Sequence, residues 1–92
     1  MKDLNLHLIV TGRVQGVGFR FITKQKVIDY DLKGWVKNLP NATVELEIEG
    51  NDLKVEGFLL ELKAGFNPFI NVKDVHITKA AEHKGYKKFV IK

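Results

Sequence analysis

The segment TVELEIEG, residues 43–50, alternates without a break: Val44, Leu46 and Ile48 on one side, Glu45, Glu47 and Glu49 on the other. A period of two is the spacing of a β-strand, whose successive side chains point to opposite faces. The segment therefore predicts a strand with its aliphatic set toward a core and its glutamates on a solvated face. Just upstream, KGWVKNLP is rich in β-forming residues and predicts a strand ending near Leu39. Pro40, Asn41 and Ala42 supply the turn, so the two strands form a hairpin.

The remaining elements arrange themselves around this hairpin. Leu4, Leu6, Leu8 and Val10 alternate with Asn5, His7, Ile9 and Thr11, which predicts a first strand. Phe19, Ile22, Thr23, Val27 and Tyr30 share one helical face, predicting a helix from Phe19 to Tyr30. After the hairpin, Asn51 or Asp52 is suited to cap a second helix, because a short side-chain acceptor satisfies a free N–H of the first turn. Val55, Phe58, Leu59 and Leu62 then fall at i, i+3, i+4 and i+7, and Gly65 closes the helix by tolerating the left-handed cap conformation. FNPF reads as a loop, Val75 and Ile77 lie on one face of a fourth strand, and YKKFVIK forms a short fifth. The order β-α-β-β-α-β with an extra terminal strand predicts an α+β, ferredoxin-like sandwich, with an antiparallel sheet and two helices on one face. Right-handed crossovers place the later strand pairs on either side of the first. Residues 1–92 read as a single domain, without internal repeat, linker or low-complexity segment.

Composition narrows the function. The 92-residue chain has no cysteine, which excludes disulfide staples and thiolate chemistry and fits a reducing compartment. The N-terminal MKDLNLHLIV lacks the apolar core of a signal peptide. No stretch approaches the roughly eighteen apolar residues of a membrane span. A soluble, cytoplasmic protein without a membrane partner is expected. The net charge of +4 favours an anionic partner, yet the basic residues are dispersed and do not choose between a nucleic acid and a single phosphate.

That choice is made by GRVQGVGFR, residues 12–20, which leads from the end of the first strand into the first helix. Glycines permit positive φ, so such a loop can turn several successive N–H groups toward one point. A concavity of this kind, opening onto a helix N-terminus, binds anions. The spacing is neither G-x-x-x-x-G-K-[ST] nor G-x-G-x-x-G, and a loop this tight suits one phosphate rather than a nucleotide. Arg20 falls in the first helical turn, where a cation opposes the helix dipole by about 0.3–1 kcal/mol. A bound phosphate reverses that sign, and the guanidinium can grip two of its oxygens at once.

GRVQGVGFR, followed by GWVKN at residues 34–38, resembles the acylphosphatase family. That family carries a G-x-V-Q-G-V-x-F-R loop and, about eighteen residues beyond its arginine, an asparagine in G-[YW]-V-x-N; here 38 minus 20 is 18. The likeness continues through NLP, the VE of the third strand, Gly50, and a terminus with Gly85, Tyr86, Phe89 and Ile91. It implies the same sandwich and hydrolysis of a carboxyl–phosphate anhydride to a carboxylate and inorganic phosphate, without metal or cofactor. It places the catalytic arginine on Arg20 and the catalytic asparagine on Asn38. Gln15, Gly16, Val17, Gly18, Phe19 and Arg20 would then bind the substrate phosphate, and a monomer acting on a small acyl phosphate is expected. The chain departs from the family where Asn41-Ala42 replaces Asp-Gly, where Val27 replaces a small alanine, and where Asp31 replaces a glycine. The segment 65–75 matches only loosely.

The rest of the sequence adds less. Gln15 helps to shape the loop, with no separate role for its side chain. Thr23, one turn after Arg20, either reaches the site or packs in the helix face. His7, His76 and His83 lack metal-ligand spacing and read as strand or loop residues. Trp35 and the phenylalanines read as core and rim. The alternative is a small RNA-binding module of the same fold, because KGYKKFVIK partly matches an aromatic RNA-binding strand motif. The match breaks at Lys87-Lys88, and no second aromatic strand supplies a stacking platform. A carbamoyl-transfer or regulatory domain of a larger enzyme is a third reading; the absence of a linker after the last strand favours a free-standing protein.

Overall fold

A computed structural model describes residues 3–80 and 83–92. Its elements are β1 (Asp3–Arg13), α1 (Phe19–Asp29), β2 (Lys33–Asn38), β3 (Val44–Asn51), α2 (Asp52–Ala64), β4 (Asn71–Lys79) and β5 (Phe89–Ile91). The strands form one sheet in the order β4-β1-β3-β2-β5. The pairs β1–β3, β1–β4 and β2–β3 are antiparallel. The edge pair β2–β5 is parallel, so the sheet is mixed rather than wholly antiparallel.

The predicted inward set forms the core. Leu8, Val10, Val36, Val44, Leu46 and Ile48 from the sheet are fully buried with Phe19 and Val27 of α1 and Val55, Phe58 and Leu62 of α2. Each such aliphatic or aromatic side chain contributes about 1.5–3 kcal/mol relative to exposure. Asn51 caps α2, its side chain accepting from the Leu53 and Lys54 amides, and Gly65 closes the helix at φ 90°. β4 is an edge strand, and its Val75 packs on the core while Ile77 stays partly exposed.

The glutamate face differs from the solvated surface expected of it. Glu47 and Glu49 are only 4% and 2% exposed. The segment between β4 and β5 covers them: the Lys84 and Tyr86 amides donate to Glu49 at 2.6 and 2.9 Å, and the Lys84 ammonium lies 2.9 Å from Glu47. Asn5 of β1 donates to both carboxylates at 2.8 and 2.9 Å, and Trp35 Nε1 donates to Glu47 at 3.1 Å. Burial alone would push both carboxyls up. The Asn5 hydrogen bonds, with those from Lys84 and Tyr86, outweigh it, and the net shift of each is downward. Glu45, less buried, pairs with His7 at 2.6 Å, and that hydrogen bond holds its carboxyl low.

Both departures from the usual turn residues have a backbone signature. Asp31 sits in the turn between α1 and β2 at φ 56°, and Ala42 sits in the hairpin turn at φ 68°. Each occupies the left-handed region where a Cβ costs about 1–2 kcal/mol.

Candidate active site

Register builds the site. Val44 of β3 lies opposite Val10 of β1 and also opposite Asn38 of β2. β1 and β2 therefore run the same way, and both end on the same rim of the sheet. β1 continues to Arg13 with an irregularity between Thr11 and Gly12, and the chain then turns through residues 14–18 into α1. Val14 is buried and anchors this turn to the core. Gly16 and Gly18 have φ of 75° and 74°. A Cβ at either would meet nothing within 4 Å, so backbone angle rather than space calls for glycine there.

The turn, the start of α1 and the end of β2 enclose a cavity of about 120 Å³. Gln15, Gly16, Gly18, Phe19, Arg20 and Asn38 line it, together with Val14 and Phe21. Five residues of the expected loop thus meet the expected asparagine. Val17 does not line the cavity and packs partly buried against the core. The Phe19 ring is buried and stacks on Phe66 with centroids 5.9 Å apart. Thr23 is fully buried in the helix face and does not line the cavity.

The electrostatics of this corner are one-sided. Gly18 is the N-cap of α1, with no side-chain cap and no acidic residue in the first turn. By contrast α2 has both the Asn51 cap and Asp52 in its first turn. The open amides of α1 thus border the cavity at the positive end of the helix dipole. Arg20 is half-buried and donates from Nη1 to the Lys92 main-chain oxygen at 3.3 Å. Among the described residues no side-chain carboxylate pairs with it. Among the described residues, the guanidinium and the helix N-terminus thus line one cavity.

One contact escaped sequence reasoning. The Gln15 side chain turns to the hairpin, where Nε2 donates to the Leu39 and Thr43 carbonyls at 2.9 and 2.8 Å. It therefore ties the loop to the turn that follows Asn38. Nothing in the linear spacing of residues 15, 39 and 43 signals this.

The structure is thus a mixed α+β sandwich whose glycine-rich turn between β1 and α1 shares a cavity with Arg20 and Asn38. Comparison with known proteins gives the family. The acylphosphatase family model matches residues 6–91. The acylphosphatase of Bacillus pumilus is 39% identical over 89 residues, covering 97% of this chain and 98% of that one. The crystal structure of acylphosphatase from Bacillus subtilis superposes with a TM-score of 0.91 at 37% identity, covering 97% of this chain and 98% of the other. Full-length HypF, in its phosphate- and nucleotide-bound form, matches with a TM-score of 0.86 at 28% identity over 99% of this chain, which spans 12% of HypF. The chain belongs to the acylphosphatase family, and its fold is the ferredoxin-like α+β sandwich of that family. It is an enzyme that hydrolyses acyl phosphates to a carboxylate and inorganic phosphate. Nothing in these comparisons points to RNA, and Phe89, the aromatic residue that opens β5, is buried rather than offered for stacking.

Proposed function

We propose that the 15–20 loop and Arg20 hold the phosphoryl group while Asn38 orients the attacking water. The observation that carries this reading is the shared cavity: strand register brings Asn38 to the uncapped end of α1, beside Arg20. The main-chain amides from Gly16 to Arg20 and the guanidinium take the phosphoryl oxygens. The Asn38 carboxamide accepts a hydrogen bond from water and aims its oxygen at phosphorus.

The electron count is simple. The water oxygen forms a bond to phosphorus, the bond from phosphorus to the acyl oxygen breaks, and its electron pair leaves on the carboxylate. A phosphoryl oxygen takes the water proton, because an amide is no base. A carboxylate with a pKa of about 4 leaves without a general acid. What remains is positioning and charge neutralisation, the usual substance of phosphoryl transfer. The scheme calls for no cofactor or metal. We take residues 1–92 as one monomeric, cytoplasmic domain without nucleic-acid or membrane partners; the cysteine-free composition fits the reducing compartment in that reading.

Asn38→Ala tests the assignment. Turnover of acetyl phosphate should fall by about 10²–10³, the usual cost of one preorganised polar group, while inorganic phosphate still binds. Turnover near that of the unaltered enzyme would remove Asn38 from the mechanism.

A further inference from the structure

We propose that an exposed apolar strip on α1, formed by Phe21 and Ile28, receives the acyl part of the substrate and makes the enzyme prefer apolar and aromatic acyl phosphates to acetyl phosphate. This rests on the placement of the phosphoryl group proposed above.

Phe21 follows Arg20 directly and is 77% exposed, and Ile28 is 57% exposed. Phe21 belongs to the wall of the phosphate cavity. It also lines a neighbouring groove of about 380 Å³ with Ile22, Lys24, Gln25 and Ile28. The two depressions therefore share one aromatic wall. Phe21, Gln25 and Ile28 are spaced i, i+4 and i+7, so they share one helix face running away from the cavity.

An acyl phosphate has the matching polarity, with an anionic head joined through one oxygen to a carbon tail. With its head at Arg20, the tail leaves the cavity next to Phe21. An acetyl methyl covers little of that ring. A benzoyl ring can stack on it at the usual centroid separation of about 4.5–7 Å. Ile28 lies seven residues further along, about 10 Å at the helical rise of roughly 1.5 Å per residue. A medium-length acyl chain spans that distance and covers both side chains. The gain comes from apolar surface that the folded chain leaves in water.

The experiment compares kcat/KM for acetyl, benzoyl and octanoyl phosphate in the unaltered enzyme, Phe21→Ala, Ile28→Ser and Asn38→Ala. Methylphosphonate and octylphosphonate serve as unreactive inhibitors. The expected result is a preference of about tenfold or more for benzoyl and octanoyl over acetyl phosphate. Phe21→Ala should collapse both ratios. Ile28→Ser should lower the octanoyl ratio alone and leave acetyl phosphate turnover unchanged. Octylphosphonate should inhibit more tightly than methylphosphonate, and Ile28→Ser should erase the difference. A flat substrate series, or ratios that survive both strip variants, would overturn the proposal. So would sedimentation showing a dimer that Ile28→Ser dissociates while the ratios persist, because the strip would then belong to a second copy of the chain. The phosphonate series reads binding without turnover. It therefore decides the strip even where active Asn38→Ala shows the catalytic assignment to be wrong.

Discussion

The Gln15 side-chain amide donates to the carbonyl of Leu39, the residue after Asn38, at 2.9 Å. Its second hydrogen goes to the Thr43 carbonyl at 2.8 Å, across the mouth of the hairpin. One nitrogen thereby joins the glycine-rich loop to the hairpin turn that follows Asn38. In Gln15→Leu both bonds are lost, and stability should drop by about 1–3 kcal/mol. The rate should suffer more than phosphate affinity: kcat falls by about tenfold or more, because small displacements of oriented groups are costly, while the loop amides still bind the anion. Gln15→Glu should be worse at neutral pH, since a carboxylate would face two carbonyl oxygens. Urea unfolding and steady-state kinetics on acetyl phosphate check both variants. A kcat for Gln15→Leu equal to that of the unaltered enzyme would reduce the contact to packing.

Arg20 and the uncapped helix predict a stability that depends on product. Saturating inorganic phosphate, about 100 times its Kd, adds roughly 2.7 kcal/mol to the folded state. In a domain of this size that raises Tm by on the order of 10–20 °C. Arg20→Lys, which replaces a two-pronged grip with a point charge, should weaken phosphate inhibition by about 10–100-fold. It should also shrink the thermal shift at fixed phosphate. A Tm that does not move at inhibitory phosphate concentrations would place the anion somewhere else.

Acid should loosen the strap over the glutamate face. Glu47 and Glu49 are held below their ordinary value of 4.5 in the folded protein. Their contribution to stability is therefore fully present above pH 4.5. It is lost as pH falls through the lowered folded values. Trp35, the sole tryptophan, touches Glu47 and, at 3.3 Å, the Tyr86 hydroxyl, so its emission reports the event. The expected trace is flat from neutrality to about pH 5 and changes below the ordinary carboxylate range. Glu49→Gln should reduce the amplitude of the pH dependence and lower stability at pH 7. A transition centred near neutrality would contradict this account.

Ala42 stands at φ 68° in the β2–β3 turn, a conformation that glycine adopts freely. Ala42→Gly relieves that strain at the expense of a floppier unfolded chain, for a net gain of about 1 kcal/mol. Thermal denaturation should show a Tm higher by about 4–8 °C, with no change in kcat. An unchanged or lower Tm would mean that the turn has no strain to relieve.

Periodicity located the sheet strands and both helices because each has one face toward a single core. Val44, Leu46 and Ile48 are all fully buried, as their alternation requires. The same alternation says nothing about what covers the opposite face. Glu47 and Glu49 therefore read as solvent-facing, although residues 83–88, which have no regular structure, lie over them. A segment without a period carries no signal of its partner. Gln15 was opaque for a related reason: its bonds span 24 and 28 positions of sequence and end on carbonyls, which every residue has. Arg20 stands out in the sequence because a cation at a helix start is locally unfavourable. Asn38 stands out only through its interval from that arginine, and the structure places the two on one cavity.

With Asn38 in the role proposed for it, the double pairing of Val44, with Val10 on one side and Asn38 on the other, ties activity to the cooperative melting of the sheet. A slip of one position in either ladder would carry Asn38 about 3.3 Å along the rim and flip its side chain to the opposite face. No half-aligned arrangement keeps a weakened version of the chemistry. On heating, hydrolysis should therefore vanish in step with the whole molecule's unfolding transition, rather than fade ahead of it.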